Sequence, residues 1–130
     1  MHTTILVPAY NVASYINLCF DSLLRQTYQD YDILVVNDGS TDSTQQVIDR
    51  YLRMNSKFSC LSLPKNQGVA GATKIGIEMA QGPVVTIVDS DDTITPNALS
   101  TVVPLFHHKF DFVWSQFDIQ GRGMGWSKPL

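Results

Sequence analysis

Residues 84–92 read VVTIVDSDD, a short apolar run rich in β-branched residues that gives way at once to four polar ones. Its length and composition are those of a buried strand rather than a helix, and Gly82 and Pro83 mark where it begins. As the most hydrophobic strand of the chain, residues 84–88 are expected at the centre of the sheet. Asp89, Ser90, Asp91 and Asp92 then fall together at its carboxyl end.

On either side of this run, strand and helix patterns alternate. Residues 3–8 read as a strand closed by Pro8, and residues 14–24 as a helix with Ile16, Cys19, Phe20, Leu23 and Leu24 on one face. A second strand covers 32–37, and Asp42 or Ser43 caps a helix whose inward face is Val47, Ile48, Tyr51 and Leu52. Residues 58–63 form a half-polar third strand. Residues 69–80 form a third helix with Ala72, Ile75, Met79 and Ala80 inward. Pro96 suits the first position of a fourth helix reaching about Phe106, which Pro104 would shorten. A fifth strand is expected at 110–114, followed by a tail over 116–130, punctuated by Gly121, Gly123 and Gly125, that has no assignable pattern.

This order predicts one α/β domain over residues 1–130, with a mainly parallel sheet and helices on both faces. Ligands of such sheets bind outside the carboxyl ends of the strands. Three polar or acidic stretches converge there: PAYN (8–11), NDGSTD (37–42) and DSDD (89–92).

The chain has 130 residues, 44% hydrophobic and 16% charged, with a formal net charge of −3. No basic stripe is present, which argues against nucleic-acid binding. An acidic protein that binds an anion needs a metal, backbone amides, or both. Cys19 and Cys60 read as two buried thiols, and no Cys/His spacing suggests zinc. No apolar run approaches the ~20 residues that span a bilayer, and no export signal opens the chain. A cytoplasmic location is therefore expected, with peripheral contact to the inner face of the membrane in the full-length protein.

Carboxylates crowded at one sheet edge repel one another unless a cation offsets their charge. Hard oxygen ligands suit Mg2+ or Mn2+, with Asp91 and Asp92 as candidate ligands and a diphosphate in the open positions. The plain alternative for DSDD is a solvated turn ahead of a helix, with Asp92 or Thr93 capping. NDGSTD read plainly is an Asp-Gly turn and a helix start. Its position beside DSDD makes Asp38 a candidate acceptor for a base N–H or a ribose hydroxyl.

PAYN after strand one, VVNDGSTD after strand two, N-x-G-V-A into helix three and VDSDD after strand four together resemble the family 2 glycosyltransferases, in order and through about residue 100. The resemblance implies the GT-A fold, Rossmann-like, and transfer of a sugar from a nucleoside-diphosphate sugar, with UDP as the implied nucleotide, to a hydroxyl acceptor such as a saccharide or lipid-linked glycan. The implied setting is cell-envelope polysaccharide synthesis by an inverting, metal-dependent reaction. Pro8, Ala9 and Tyr10 would line the base and ribose pocket, and Asp38 would bind the base. Asp89 and Asp91 match the DxD element at ribose and metal-diphosphate, with Asp92 beside them. Asn11, Gly39 and Ser90 of the same motifs are counted with the donor-binding residues. Two departures stand out. Asn37-Asp38 replaces Asp-Asp, and Ala72-Thr73-Lys74 replaces Ala-Arg-Asn, which moves the cation by one residue, about 100° around the helix. Lys74 then reaches either a phosphate or solvent.

An acceptor hydroxyl needs a general base. Asp111 and Asp118 match no such motif, so the chain is expected to be the donor-binding part, with the acceptor-side half and its base beyond Leu130. Rival readings are a non-catalytic nucleotide-sugar-binding module and a haloacid-dehalogenase-like phosphatase with Asp89 as nucleophile. The latter is opposed by Asp92 at that family's Gly position. A dinucleotide-binding fold lacks its G-x-G-x-x-G after strand one. His107 and His108 read as a polar helix end and Trp114 as sheet core, while Trp126 either stacks on a sugar or lies in a free tail.

Overall fold

The structure, a computed structural model, describes residues 1–108, 111 and 113. Four strands, β1 (Thr3–Ala9), β2 (Tyr31–Asn37), β3 (Phe58–Ser62) and β4 (Val84–Ile87), form one parallel sheet in the order β3-β2-β1-β4. Helices α1 (Ile16–Leu24), α2 (Thr44–Met54), α3 (Gly68–Met79) and α4 (Ala98–Val102) connect or follow them.

Side chains alternate across each strand, so β1 and β2 feed two cores. Ile5, Val7, Ile33 and Val35 pack with Ile16, Phe20 and Leu23 of α1, Val47 and Ile48 of α2 and Leu99 of α4. Leu6, Leu34 and Val36 face Ala72 of α3. Helices therefore cover both faces, as expected from the sequence. Phe20, Tyr51 and Phe58 close the larger core with edge-to-face and tilted ring contacts, with Phe20 4.9 Å from each of the other two rings.

Among the described residues the sheet ends at β4, and β1 and β2 are the central pair. The fifth strand expected at 110–114 lies outside the described residues, and Ile87 of β4 is 49% exposed. Other expectations are corrected. Pro8 does not close β1, which runs on to Ala9 opposite Asn37. The Leu6 carbonyl accepts from Val88 N–H, so even-numbered β1 residues turn their backbone groups toward β4. β4 has ended by the level of Pro8, so its missing N–H forfeits no ladder bond.

On α3 the buried line is Ala72 and Gly76, while Met79 is 50% exposed. A Cβ built on Gly76 would lie 2.2 Å from Leu6 Cδ1. The helix therefore meets the sheet through its smallest residues, and a reading by apolar size alone picks the wrong face. Pro96 precedes α4 rather than opening it, and the helix passes into a 3₁₀ segment, Val103–His108, around Pro104. Cys60 on the edge strand β3 is only half-buried, Cys19 is buried, and both are free thiols. The expected fifth strand, Trp114, Asp118 and Trp126 lie outside the described residues.

Candidate donor-binding cleft

The loops after β1, β2 and β4 and the start of α3 enclose a cleft of about 390 Å³ at the carboxyl edge of the sheet. Pro8, Ala9, Tyr10 and Val12 line it from β1, and Val69 and Ala72 form an apolar wall on α3. Asp38, Asp89, Ser90 and Asp91 complete it.

Asp38 is 3% exposed. Its N–H donates to the Ala9 carbonyl at 2.8 Å, and its Oδ1 accepts from Gln67 N–H at 2.6 Å. Asn66 Nδ2 donates to its carbonyl at 3.3 Å. The side chain thus anchors the loop that leads into α3 as well as lining the cleft. Gly39 does not line the cleft. Its φ is +72°, and a Cβ there would sit 2.7 Å from Asn66 N, so the residue serves a backbone that no side chain would fit.

Asn11 likewise does not line the cleft. It adopts φ +50° and ties the β1 loop to the β2 loop. Its Oδ1 accepts from Thr41 N–H at 2.8 Å and Asp42 N–H at 3.3 Å, while its own N–H donates to Ser40 Oγ at 3.0 Å. Asp42 belongs to the same stitching. Its carboxylate accepts from Thr44 N–H at 2.9 Å and Ala13 N–H at 3.3 Å. These bonds, Thr44 Oγ1 first, hold its carboxyl below the usual range. Asp42 rather than Ser43 provides the side-chain bond at the start of α2.

Asp92 N–H donates to the Asp89 carbonyl at 3.0 Å, which closes a turn over residues 89–92. Asp89 and Asp91 are exposed and face the cleft, whereas Asp92 is exposed and does not line it. The Asp92 carboxyl is held above the usual carboxylate range, first by partial burial and then by repulsion from Asp91 and Asp89. Beneath the turn, Cys19 Sγ lies 3.6 Å from the Asp89 carbonyl. Burial, followed by the charges of Asp92, Asp91 and Asp89, pushes that thiol up to about 12, so it stays protonated. Among the described residues no three His, Cys, Asp or Glu side chains converge as a closed metal cage. Asp89 and Asp91 are the two hard carboxylates that line the cleft.

Lys74 is exposed and does not line the cleft. It lies two residues past the buried Ala72, about 200° around the helix, which turns it away from the sheet. His107, His108 and Asp111 are exposed.

Sequence reasoning missed Ser22 and Gln26, buried polar residues of α1 and the turn after it. Ser22 Oγ donates to the Cys19 carbonyl at 2.7 Å and accepts from Ile94 N–H at 3.2 Å. Gln26 Nε2 donates to the Thr95 carbonyl at 2.7 Å, and its Oε1 accepts from Leu99 N–H at 3.0 Å. Together they hold the irregular segment after the acidic turn. The signal in the sequence is their spacing from Cys19, which puts polar residues on the helix's apolar face.

A second cleft, about 360 Å³, opens at the other end of the strands beside Thr4, Asp32, Lys57 and Met79. Its charges are already engaged, Asp32 by His2 and Thr4, and Lys57 Nζ by the carbonyls of Gln29 and Tyr31.

Residues 4–129 match the family model described as Glycosyl transferase family 2. The chain is 36% identical over 99 residues to glycosyltransferase GlyG of Streptococcus pneumoniae serotype 4, covering 76% of this chain and 33% of that protein. Over 103 residues it is 39% identical to the chondroitin synthase of Pasteurella multocida, covering 79% and 11% respectively. It superposes on S. aureus TarS in complex with UDP-GlcNAc with a TM-score of 0.85 at 29% identity, covering 98% of this chain and 38% of that one. The mannosyltransferase PcManGT from Pyrobaculum calidifontis, in complex with GDP-Man and Mn2+, gives a TM-score of 0.74 at 26% identity, covering 78% and 31%. The chain spans well under half the length of each of these four proteins.

Proposed function

This chain belongs to glycosyl transferase family 2 and has the GT-A fold, and we propose on that footing that its cleft holds the nucleoside-diphosphate part of a sugar donor. The observation that carries the reading is the cleft itself. A buried carboxylate, Asp38, lines it together with the apolar side chains of Val69 and Ala72 and an exposed acidic pair, Asp89 and Asp91. Such a cleft offers acceptors to the N–H and O–H groups of a nucleoside, yet it repels a diphosphate.

A divalent cation removes that conflict. Asp89 and Asp91 would hold it, and Asp92 stands next to them. Two carboxylates with open positions are what Mg2+ or Mn2+ accepts when phosphates and water complete the shell. When bound, the metal offsets charge on the leaving diphosphate. Tyr10 and Pro8 would border the nucleoside, and Asp38 would accept from the base. UDP is the first candidate, in line with the likeness to TarS. Asn11 and Gly39 act on the loops, not on the ligand, and Lys74 faces solvent.

Transfer is proposed to be inverting, with an acceptor hydroxyl attacking the anomeric carbon as the nucleoside diphosphate leaves. The base that takes the hydroxyl proton is assigned to the acceptor side of the full-length enzyme, because the cleft's own acids are committed to the donor. A saccharide or lipid-linked glycan acceptor, and work at the inner face of the membrane, complete the proposal; among the described residues no helix is long and apolar enough to cross a membrane. The phosphatase reading of Asp89 falls with the family match.

Titration with UDP, GDP and CMP, each with Mn2+ and with excess chelator, tests the reading. Tight binding of UDP that collapses on chelation is the expected result. Equal affinity in chelator would remove the metal, and no binding of any nucleotide would remove the donor site.

A further inference from the structure

We propose that Ser22 and Gln26 are positioning residues for the proposed metal site, setting the backbone of the acidic turn so that the carboxylates of Asp89 and Asp91 meet one cation. The inference rests on the donor-binding reading above. Neither residue lines the cleft. They stand four residues apart, on α1 and the turn after it, so they share one side of the helix. That side is the buried one, with Ser22 4% and Gln26 2% exposed.

Their partners follow in the same order along the segment after β4. Cys19 Sγ lies against the Asp89 carbonyl, and Ser22 Oγ accepts from Ile94 N–H. Gln26 then holds the Thr95 carbonyl and Leu99 N–H, and Thr27 N–H donates to the Pro96 carbonyl at 2.9 Å. The segment enters tied to β1, through Val88 N–H and the Leu6 carbonyl. Beyond Val88, every hydrogen bond from residues 89–100 to an earlier part of the described chain ends on residues 19–27. Apolar packing alone is non-directional and would let the segment slide along α1. Hydrogen bonds from two side chains to named backbone atoms fix its register instead. A hard cation rewards that precision, because Mg2+ demands near-ideal octahedral geometry. Groups that orient the ligands tune a metal site without touching the metal.

The test compares the full-length protein with its Ser22→Ala and Gln26→Met variants. Thr3→Ala is the control, since it loses a buried hydroxyl bonded to the Val84 carbonyl at the other end of the strands. Calorimetric titration with UDP at a series of Mn2+ concentrations gives the Mn2+ needed for half-maximal binding, and metal-free thermal melts give stability. Ser22→Ala and Gln26→Met should each need about 10-fold more Mn2+, the lower end of what removing an outer-shell support costs a metal site. Thr3→Ala should melt below the parent yet keep the parent's Mn2+ requirement. Folded Ser22→Ala or Gln26→Met protein that melts lower but keeps the parent's Mn2+ requirement overturns the proposal, because its role is then structural only. An equal shift in Thr3→Ala overturns it as well. A parent that binds no UDP, or binds it equally without Mn2+, overturns the donor and metal reading itself, and this assignment with it.

Discussion

Replacing Asp38 separates the loop bond that its carboxylate makes from the base-binding role proposed for it. Asp38→Ala removes the acceptor of Gln67 N–H, a contact of 2.6 Å made by a side chain only 3% exposed. A hydrogen bond to a charged group contributes about 1.5–3 kcal/mol, and the abandoned N–H has no other described partner. Asp38→Asn keeps an oxygen for Gln67 but without the charge, which roughly halves the bond. Urea unfolding should therefore rank the proteins parent, Asn, Ala, with losses of about 1 and about 2 kcal/mol. Nucleotide binding should follow a different order. Both variants lose the charged acceptor proposed to face the base, so both should bind UDP about 10-fold more weakly. The Asn variant, which can present an amide donor, should also shift its preference between UDP and GDP. Equal stability of Ala and parent would mean that the Gln67 bond contributes nothing. An Asn variant with the parent's affinity and the parent's UDP-to-GDP ratio would take Asp38 out of the nucleotide site.

Gly76→Ala should lower stability by about 1–3 kcal/mol through overpacking on Leu6, more than the ~1 kcal/mol gained in helix propensity; a thermal melt decides the sign. Asp91→Asn should leave the metal-free protein as stable or more so at pH 7. The charge it removes is one that lifts the Asp92 carboxyl, so relief of that repulsion favours the fold while Mn2+-dependent UDP affinity falls in the same titration. His2 is held above its ordinary 6.5 by the hydrogen bond to Asp30 and, against some desolvation, by Asp32. Its contribution is therefore fully present below pH 6.5 and disappears as pH rises through the elevated value. Unfolding midpoints of the parent and His2→Gln should differ at pH 6 and converge by pH 9, and a constant gap would refute the assignment.

Much of this was legible in the sequence because strands and amphipathic helices write their periods into it. DILVVN and ILVP declare the central pair β2 and β1, and Val47, Ile48, Tyr51 and Leu52 declare the inner face of α2. Pro8, Ala9, Tyr10, Asp38, Asp89, Ser90 and Asp91 were brought to one cleft as their strand-end positions implied. What was not legible depends on partners distant in sequence. That Gly76 and not Met79 meets the sheet is decided by Leu6, and that Asn11 clamps loops is decided by Thr41 and Asp42.

The stitching of the loops has one further consequence. The β1, β2 and β3 loops are bound to each other through Asn11, Asp42, Asp38 and Asn66, whereas the acidic turn is held from below by Cys19 and, through Ile94, Thr95 and Leu99, by Ser22 and Gln26. Among the described residues no hydrogen bond crosses from the 89–92 turn to those three loops. The two jaws of the cleft thus hang from separate supports, and substitutions in one need not disturb the other, so their energies should add. On the donor-binding reading, such a division would let a lineage change the nucleobase it accepts without relearning how to handle the diphosphate, and the reverse.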